Sequence, residues 1–102
     1  GISVVKEFKT TSAIQMLSSL YQNVPNPFSH STTIGFFLAK SANVKVKLYN
    51  SVGELLDVLV SENYEEGEHS IGFSSDKYSS GTYFYRIETE NFVSTKSLLI
   101  QK

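Results

Sequence analysis

Residues 44–49 read Val-Lys-Val-Lys-Leu-Tyr, apolar and polar in strict alternation. Successive side chains of an extended strand point to opposite faces, so this pattern fits a half-buried β-strand and no helix. Val44, Val46 and Leu48 are expected inward, with Lys45, Lys47 and Tyr49 outward. The same period recurs along the chain. Ile34, Phe36 and Leu38 share a face within 32–38, as do His69, Ile71 and Phe73 further on. After Gly81, Tyr83, Tyr85 and Ile87 fall on one side and Phe84, Arg86 and Glu88 on the other.

Turn signals separate these runs. A short run over 20–24 ends at Pro25 and Pro27. Asn50-Ser-Val-Gly53 suits a type I turn followed by a left-handed glycine, which returns the chain along 54–60. Glu65-Glu66-Gly67 marks a further turn, 74–80 is a polar loop, and Glu90-Asn91 reverses the chain into a last strand over 92–100. Seven strand candidates at such spacing, with no strongly periodic helix of ten or more residues, predict an all-β antiparallel sandwich.

At 102 residues, 40% hydrophobic and 19% charged, the chain has the size and composition of one globular domain. The formal net charge of −1 leaves no basic excess for nucleic acid or an anionic membrane. The lack of cysteine excludes disulfides and thiolate chemistry but does not fix a compartment. No apolar run approaches the roughly 18 residues a membrane-spanning helix needs. The chain begins at Gly1 without a signal segment, so it is expected to be a piece of a longer protein. Residues 1–19 differ from the rest. Ile2, Val4 and Val5 suit the end of a preceding region; Ser12 has capping-box spacing to Gln15, but polar Lys9-Thr-Thr-Ser12 favours a linker over a short helix.

Few residues suggest chemistry. Neither His30 nor His69 has a metal-ligand partner three or four residues after it, which speaks against zinc. Glu65, Glu66 and Glu68 cluster in a turn without the alternating Asp/Asn pattern of a calcium loop. There is no Gly-x-Ser-x-Gly elbow and no glycine-rich phosphate loop. Lys45 and Lys47 beside Tyr49 are read as a solvated strand face. Tyr49, Phe37 and Phe84 are candidates for a sugar-binding platform if they lie exposed. No catalytic residue, cofactor or metal site is nominated, and the chain is expected not to be an enzyme.

Six segments occur in one order: Leu20-Tyr-Gln-Asn-Val-Pro-Asn-Pro-Phe28, Ser31-Thr-Thr-Ile34, residues 44–53, Gly67-Glu-His-Ser70, Ser80-Gly-Thr-Tyr-Phe-Tyr-Arg86 and Thr95-Lys-Ser-Leu-Leu-Ile100. In this they resemble the type A C-terminal sorting domain of proteins exported by the type IX secretion system of Bacteroidetes. The resemblance spans residues 20–102 and implies an immunoglobulin-like antiparallel β-sandwich of about seven strands at the end of a larger cargo. It implies a secretion signal that directs the cargo through the periplasm and across the outer membrane to the cell surface or medium. A surface sortase commonly removes such a domain, and the cut is expected within residues 5–17. The implied partners are the translocon, the sortase and the N-terminal cargo domain.

The resemblance gives roles to particular residues. Pro25, Asn26, Pro27 and Phe28 form the family motif; the prolines turn the chain out of the first strand, and Phe28 is expected to plug one end of the core. Gly53 and Gly81 are turn residues, and Tyr83 and Tyr85 are expected to fill the core or make corner hydrogen bonds. Much of the export signal maps onto Thr95, Lys96, Ser97, Leu98, Leu99, Ile100, Gln101 and Lys102. Lys96 stands at the family's basic position, read either as a recognition residue or as an outward-facing strand lysine. Two departures, Ser29-His30 after the motif and Glu90-Asn91 in place of a glycine-rich turn, are expected to alter loops and not the fold. The final strand, if partly unpaired, is a site for strand addition or for a homodimer. The competing reading is an immunoglobulin- or fibronectin-like binding domain for glycan or protein, since related sandwiches with the proline motif occur in flagellar hook-capping proteins.

Overall fold

The computed structural model describes residues 17–102. Residues 1–16 of the proposed linker, with the capping-box segment and most of the expected cleavage region, lie outside them. The linker bound at 19 is corrected, since Ser19 belongs to the first strand and Ser18 Oγ accepts from the Ala39 N–H. Seven strands follow: β1 (Ser19–Leu20), β2 (Ser31–Leu38), β3 (Ala42–Tyr49), β4 (Leu55–Tyr64), β5 (Gly67–Ser74), β6 (Gly81–Glu88) and β7 (Val93–Ile100). They form a three-stranded sheet in the order β1-β2-β5 and a four-stranded sheet in the order β4-β3-β6-β7, all antiparallel. This is the immunoglobulin-like sandwich, with β4 beside β3 instead of joining the sheet of β5.

The alternation read from the sequence sets the two inner faces. Ile34, Phe36 and Leu38 of β2 face Val44, Val46 and Leu48 of β3 and Tyr85 and Ile87 of β6 in one core, all of them solvent-inaccessible or nearly so. Each of these aliphatic and aromatic side chains contributes about 1.5–3 kcal/mol by leaving water. Asn50 makes the β3–β4 turn: its side-chain carbonyl accepts from the N–H groups of Val52 and Glu54, and Gly53 closes the turn at φ +89°. The glycine is required there because a Cβ disfavours that left-handed conformation.

The strand bounds differ in places from the expectation. The run over 20–24 gives only the two-residue β1, because Val24 makes an isolated bridge to Thr33 and the prolines supply no donor. β4 runs on to Tyr64 and is mostly exposed. Its register to β3 breaks between Val46 and Lys47 and again between Leu48 and Tyr49. Two such bulges erase any clean period-two pattern. Glu65 and Glu66 do not close a hairpin; they carry the chain from one sheet to the other, since β4 pairs with β3 and β5 with β2.

Candidate functional site

The proline motif and the final strand meet. Beyond β1 the chain runs along the edge of β2, with the Tyr21 N–H donating to the Gly35 carbonyl (2.9 Å) and Val24 and Thr33 exchanging bonds (3.0 Å each). It then crosses to the other sheet. The Phe28 N–H donates to the Leu99 carbonyl (3.1 Å), and the Gln101 N–H donates to the Phe28 carbonyl (2.8 Å), a parallel bridge onto β7. The Asn26 side-chain oxygen accepts from the Leu99 N–H at 2.9 Å, and Gln22 Nε2 donates to the Ser97 carbonyl at 2.6 Å. The outward polar groups of β7 from the Ser97 carbonyl to the Gln101 N–H are therefore occupied.

Buried polar side chains hold this connector in shape. Asn23, almost fully buried, donates from Nδ2 to the Pro25 carbonyl and to Thr32 Oγ1, both at 3.1 Å, while the Thr32 hydroxyl donates to the same carbonyl at 2.8 Å. Ser75 Oγ donates to the Ser29 carbonyl at 2.6 Å. Such groups are costly to bury unpaired, so together they specify one path for the chain. Phe28 is 4% exposed and closes the core end as expected, edge-on to Phe73 with ring centroids 6.0 Å apart. The chain continues the ring stack through Tyr78 to Tyr83. The peptide bonds before Pro25 and Pro27 are both cis.

Both tyrosines of β6 make the corner bonds expected of them. The Tyr83 hydroxyl donates to the Ser79 carbonyl at 2.8 Å, next to Gly81, which opens β6 at φ +152°. The Tyr85 hydroxyl crosses between sheets to donate to the Tyr21 carbonyl at 2.6 Å. Burial pushes the Tyr85 hydroxyl pKa up to about 12. Lys102 is tied down at the same end of the sandwich, its N–H donating to Ser80 Oγ at 3.1 Å.

The residues expected to carry the signal divide by face. Leu98 and Ile100 are buried, each 1% exposed, and belong to the core. Thr95 and Ser97 are exposed on the outer face, with Leu99 half-buried beside them. The reading of Lys96 as an outward-facing lysine is corrected: it is half-buried and pairs with Tyr85, hence lies on the inner face with Leu98 and Ile100. The three apolar residues 98–100 leave the phase of this strand ambiguous in sequence, and only the pairing to Tyr83 and Tyr85 resolves it. Gln101 and Lys102 are exposed. What sequence reasoning missed is that Gln22 and Asn26 fasten the connector to β7 and that Asn23 holds the connector to Pro25 and Thr32. Their polarity beside prolines was the available signal, but their partners lie more than 70 residues away for Gln22 and Asn26.

The remaining candidates are dispersed. His69 Nε2 lies 2.6 Å from the Glu65 carbonyl, and the ring packs 4.8 Å from Tyr64. Lys47 pairs with Glu88 (2.9 Å), and Lys47 holds the Glu88 carboxyl below its ordinary pKa. Arg86 Nε is 3.0 Å from the other oxygen of Glu88 without hydrogen-bond alignment. Tyr49 and Phe84 are cross-strand neighbours on one sheet while Phe37 lies on the other, all half-buried, so they form no common aromatic platform. A cleft of about 550 Å³ at the end opposite Phe28 is lined by Leu17, Leu38, Phe92 and the Glu90-Asn91 turn. No cluster of three metal-ligating side chains occurs among the described residues.

A comparison with curated proteins finds no match. The family model described as "Secretion system C-terminal sorting domain" matches residues 22–101, which takes in the connector, both sheets beyond β1 and the final strand. Sorting signals of this family are not enzymes; they imply a cargo on the N-terminal side, a secretion machinery and export to the cell surface or extracellular space. No described helix is long and apolar enough to cross a membrane. With a sequence match over most of its length and a fold whose motif clasps the last strand, this chain belongs to the C-terminal sorting domains of the type IX secretion system.

Proposed function

We propose that residues 20–102 act as the address that carries an attached cargo from the periplasm through the type IX translocon, and that a surface sortase then cuts within residues 5–17. Residues 1–17 are the linker or the end of the cargo region, since Ser18 and Ser19 already bond to the sandwich. The observation that carries this reading is the joining of the family motif to β7: Gln22, Asn26 and Phe28 hold the strand that bears the expected signal. On the outer side of that strand Thr95 and Ser97 stand exposed, with the N–H and C=O of Val93 and Thr95 unbonded among the described residues. These groups offer a partner strand both side-chain and backbone contacts.

The test fuses residues 1–102 behind a signal peptide and a fluorescent protein in a type IX-competent bacterium and in a translocon-deficient strain. Surface or medium fluorescence in the first strain alone is the expected result. Equal periplasmic trapping in both, with the fusion folded, would overturn the proposal. Deleting residues 97–102 is a poor probe of the signal, because it also removes Leu98 and Ile100 from the core. Thr95→Asp and Ser97→Asp change the outer face alone, and both are expected to lower export while the domain keeps its melting temperature.

A further inference from the structure

The sandwich has three long edges, and they are protected unequally. Open strand edges are commonly guarded by bulges, inward-pointing charges, prolines, lysines or covering segments. β4 carries two bulges, and its Asp57 pairs with Leu48 and so shares that residue's inner face. β7 is covered over its C-terminal half by the connector and has Lys96 on its inner face. β5 is guarded least: its one charged side chain, Glu68, is held by the Tyr21 hydroxyl at 2.8 Å. Its register to β2 runs unbroken from Gly67 to Ser74, without proline, lysine or bulge.

The direction of its backbone groups follows from the pairing. Ser75 donates to the His30 carbonyl, whereas Thr33 and Gly35 of β2 bond toward the connector and β1. Antiparallel pairs alternate, so the odd residues of β5 bond to β2. The N–H and C=O of Glu68, Ser70, Gly72 and Ser74 point to the free edge, and among the described residues no hydrogen bond reaches them. We propose that this edge pairs with the same edge of a second copy, antiparallel about a two-fold axis at Ile71, to make one continuous sheet across a homodimer.

The second copy is favoured because this edge is complementary to itself. With the axis at Ile71, Ser70 meets Gly72 and Glu68 meets Ser74 of the other copy, so all four outward residues exchange both bonds. No two like charges stand opposite each other within the paired segment. The two Ile71 side chains meet across a non-hydrogen-bonded pair, where Cα atoms approach to about 4.5 Å. Ile71 is only partly buried in one chain, packed against the core from its rim. Pairing covers the rest of its surface. The inference does not depend on the export reading.

Sedimentation velocity of the 102-residue chain over a wide concentration range tests it. A reversible dimer is expected, abolished by Ser70→Pro, which removes an outward N–H and no bond to β2, and retained in Thr95→Pro on the edge of β7. The chain has no cysteine, so Ile71→Cys gives a single reporter thiol. Its oxidation is expected to yield a covalent dimer, the opposed Cα atoms being within disulfide reach. A chain that stays monomeric at every concentration and does not cross-link through Ile71→Cys overturns the proposal. So does a dimer lost in Thr95→Pro and kept in Ser70→Pro.

Discussion

Among the described residues Tyr85 is the bulkiest side chain that solvent does not reach, and its hydroxyl is the donor to the Tyr21 carbonyl in the opposite sheet. Tyr85→Phe keeps the ring and leaves that carbonyl short of a donor, so a loss of about 1–2 kcal/mol is expected in urea unfolding. The hydroxyl also gives a pH signature. Its folded pKa of about 12 lies above the ordinary 10, so its stabilisation is complete below pH 10 and disappears as pH rises through 12. The difference between the two proteins should therefore shrink across that window, by an amount on the order of 2 kcal/mol. A constant difference from pH 8 to 12 would show that Tyr85 does not titrate there. Gly53 is a second sensitive position: Gly53→Ala meets no neighbour but forces an alanine to φ +89°, at about 1–2 kcal/mol in the same measurement.

Between residues 20 and 30 the connector acts as an element in its own right, though it has almost no regular structure. Phe28→Ala empties the core end against Phe73 and is expected to cost about 3–5 kcal/mol. Asn26→Ala removes one acceptor from the exposed Leu99 N–H and is expected to cost about 1 kcal/mol. Denaturant unfolding ranks the two, and the reverse order would contradict the division into plug and fastener. Legibility in the sequence follows the same line. β2, β3 and β6 were readable because one buried face imposes a period of two, as at Val44, Val46 and Leu48. β4 was only partly readable, since bulges break its period and one edge strand buries little. The prolines announced a bend, but no local pattern tells where a bend lands. The contact of Asn26 with Leu99 is a property of the closed fold.

On the scale of the molecule, the two ends of the described chain lie at opposite ends of the sandwich. Leu17 lines the cleft beside the β6–β7 turn, while Lys102 is fastened to Ser80 near Phe28. The uncovered part of the β7 edge, Val93 and Thr95, lies toward the Leu17 end. Among the described residues, the fourteen that form the core run from Leu20 to Ile100 and close it from both sheets. Removing residues 1–16 is therefore expected to leave the domain folded, with a melting temperature shifted by less than the ~4 °C that 1 kcal/mol produces at this size. Calorimetry of the two lengths checks this, and a large drop would extend the domain into the proposed linker.

The clasp between the connector and β7 has a consequence for synthesis. The partners of Gln22, Asn26 and Phe28 are made more than 70 residues after them, and Leu98 and Ile100 complete the core only then. A chain terminated prematurely carries neither the finished sandwich nor the strand that Asn26 fastens. The sandwich and the strand that Asn26 fastens are thus completed together: a chain that stops short of β7 presents neither.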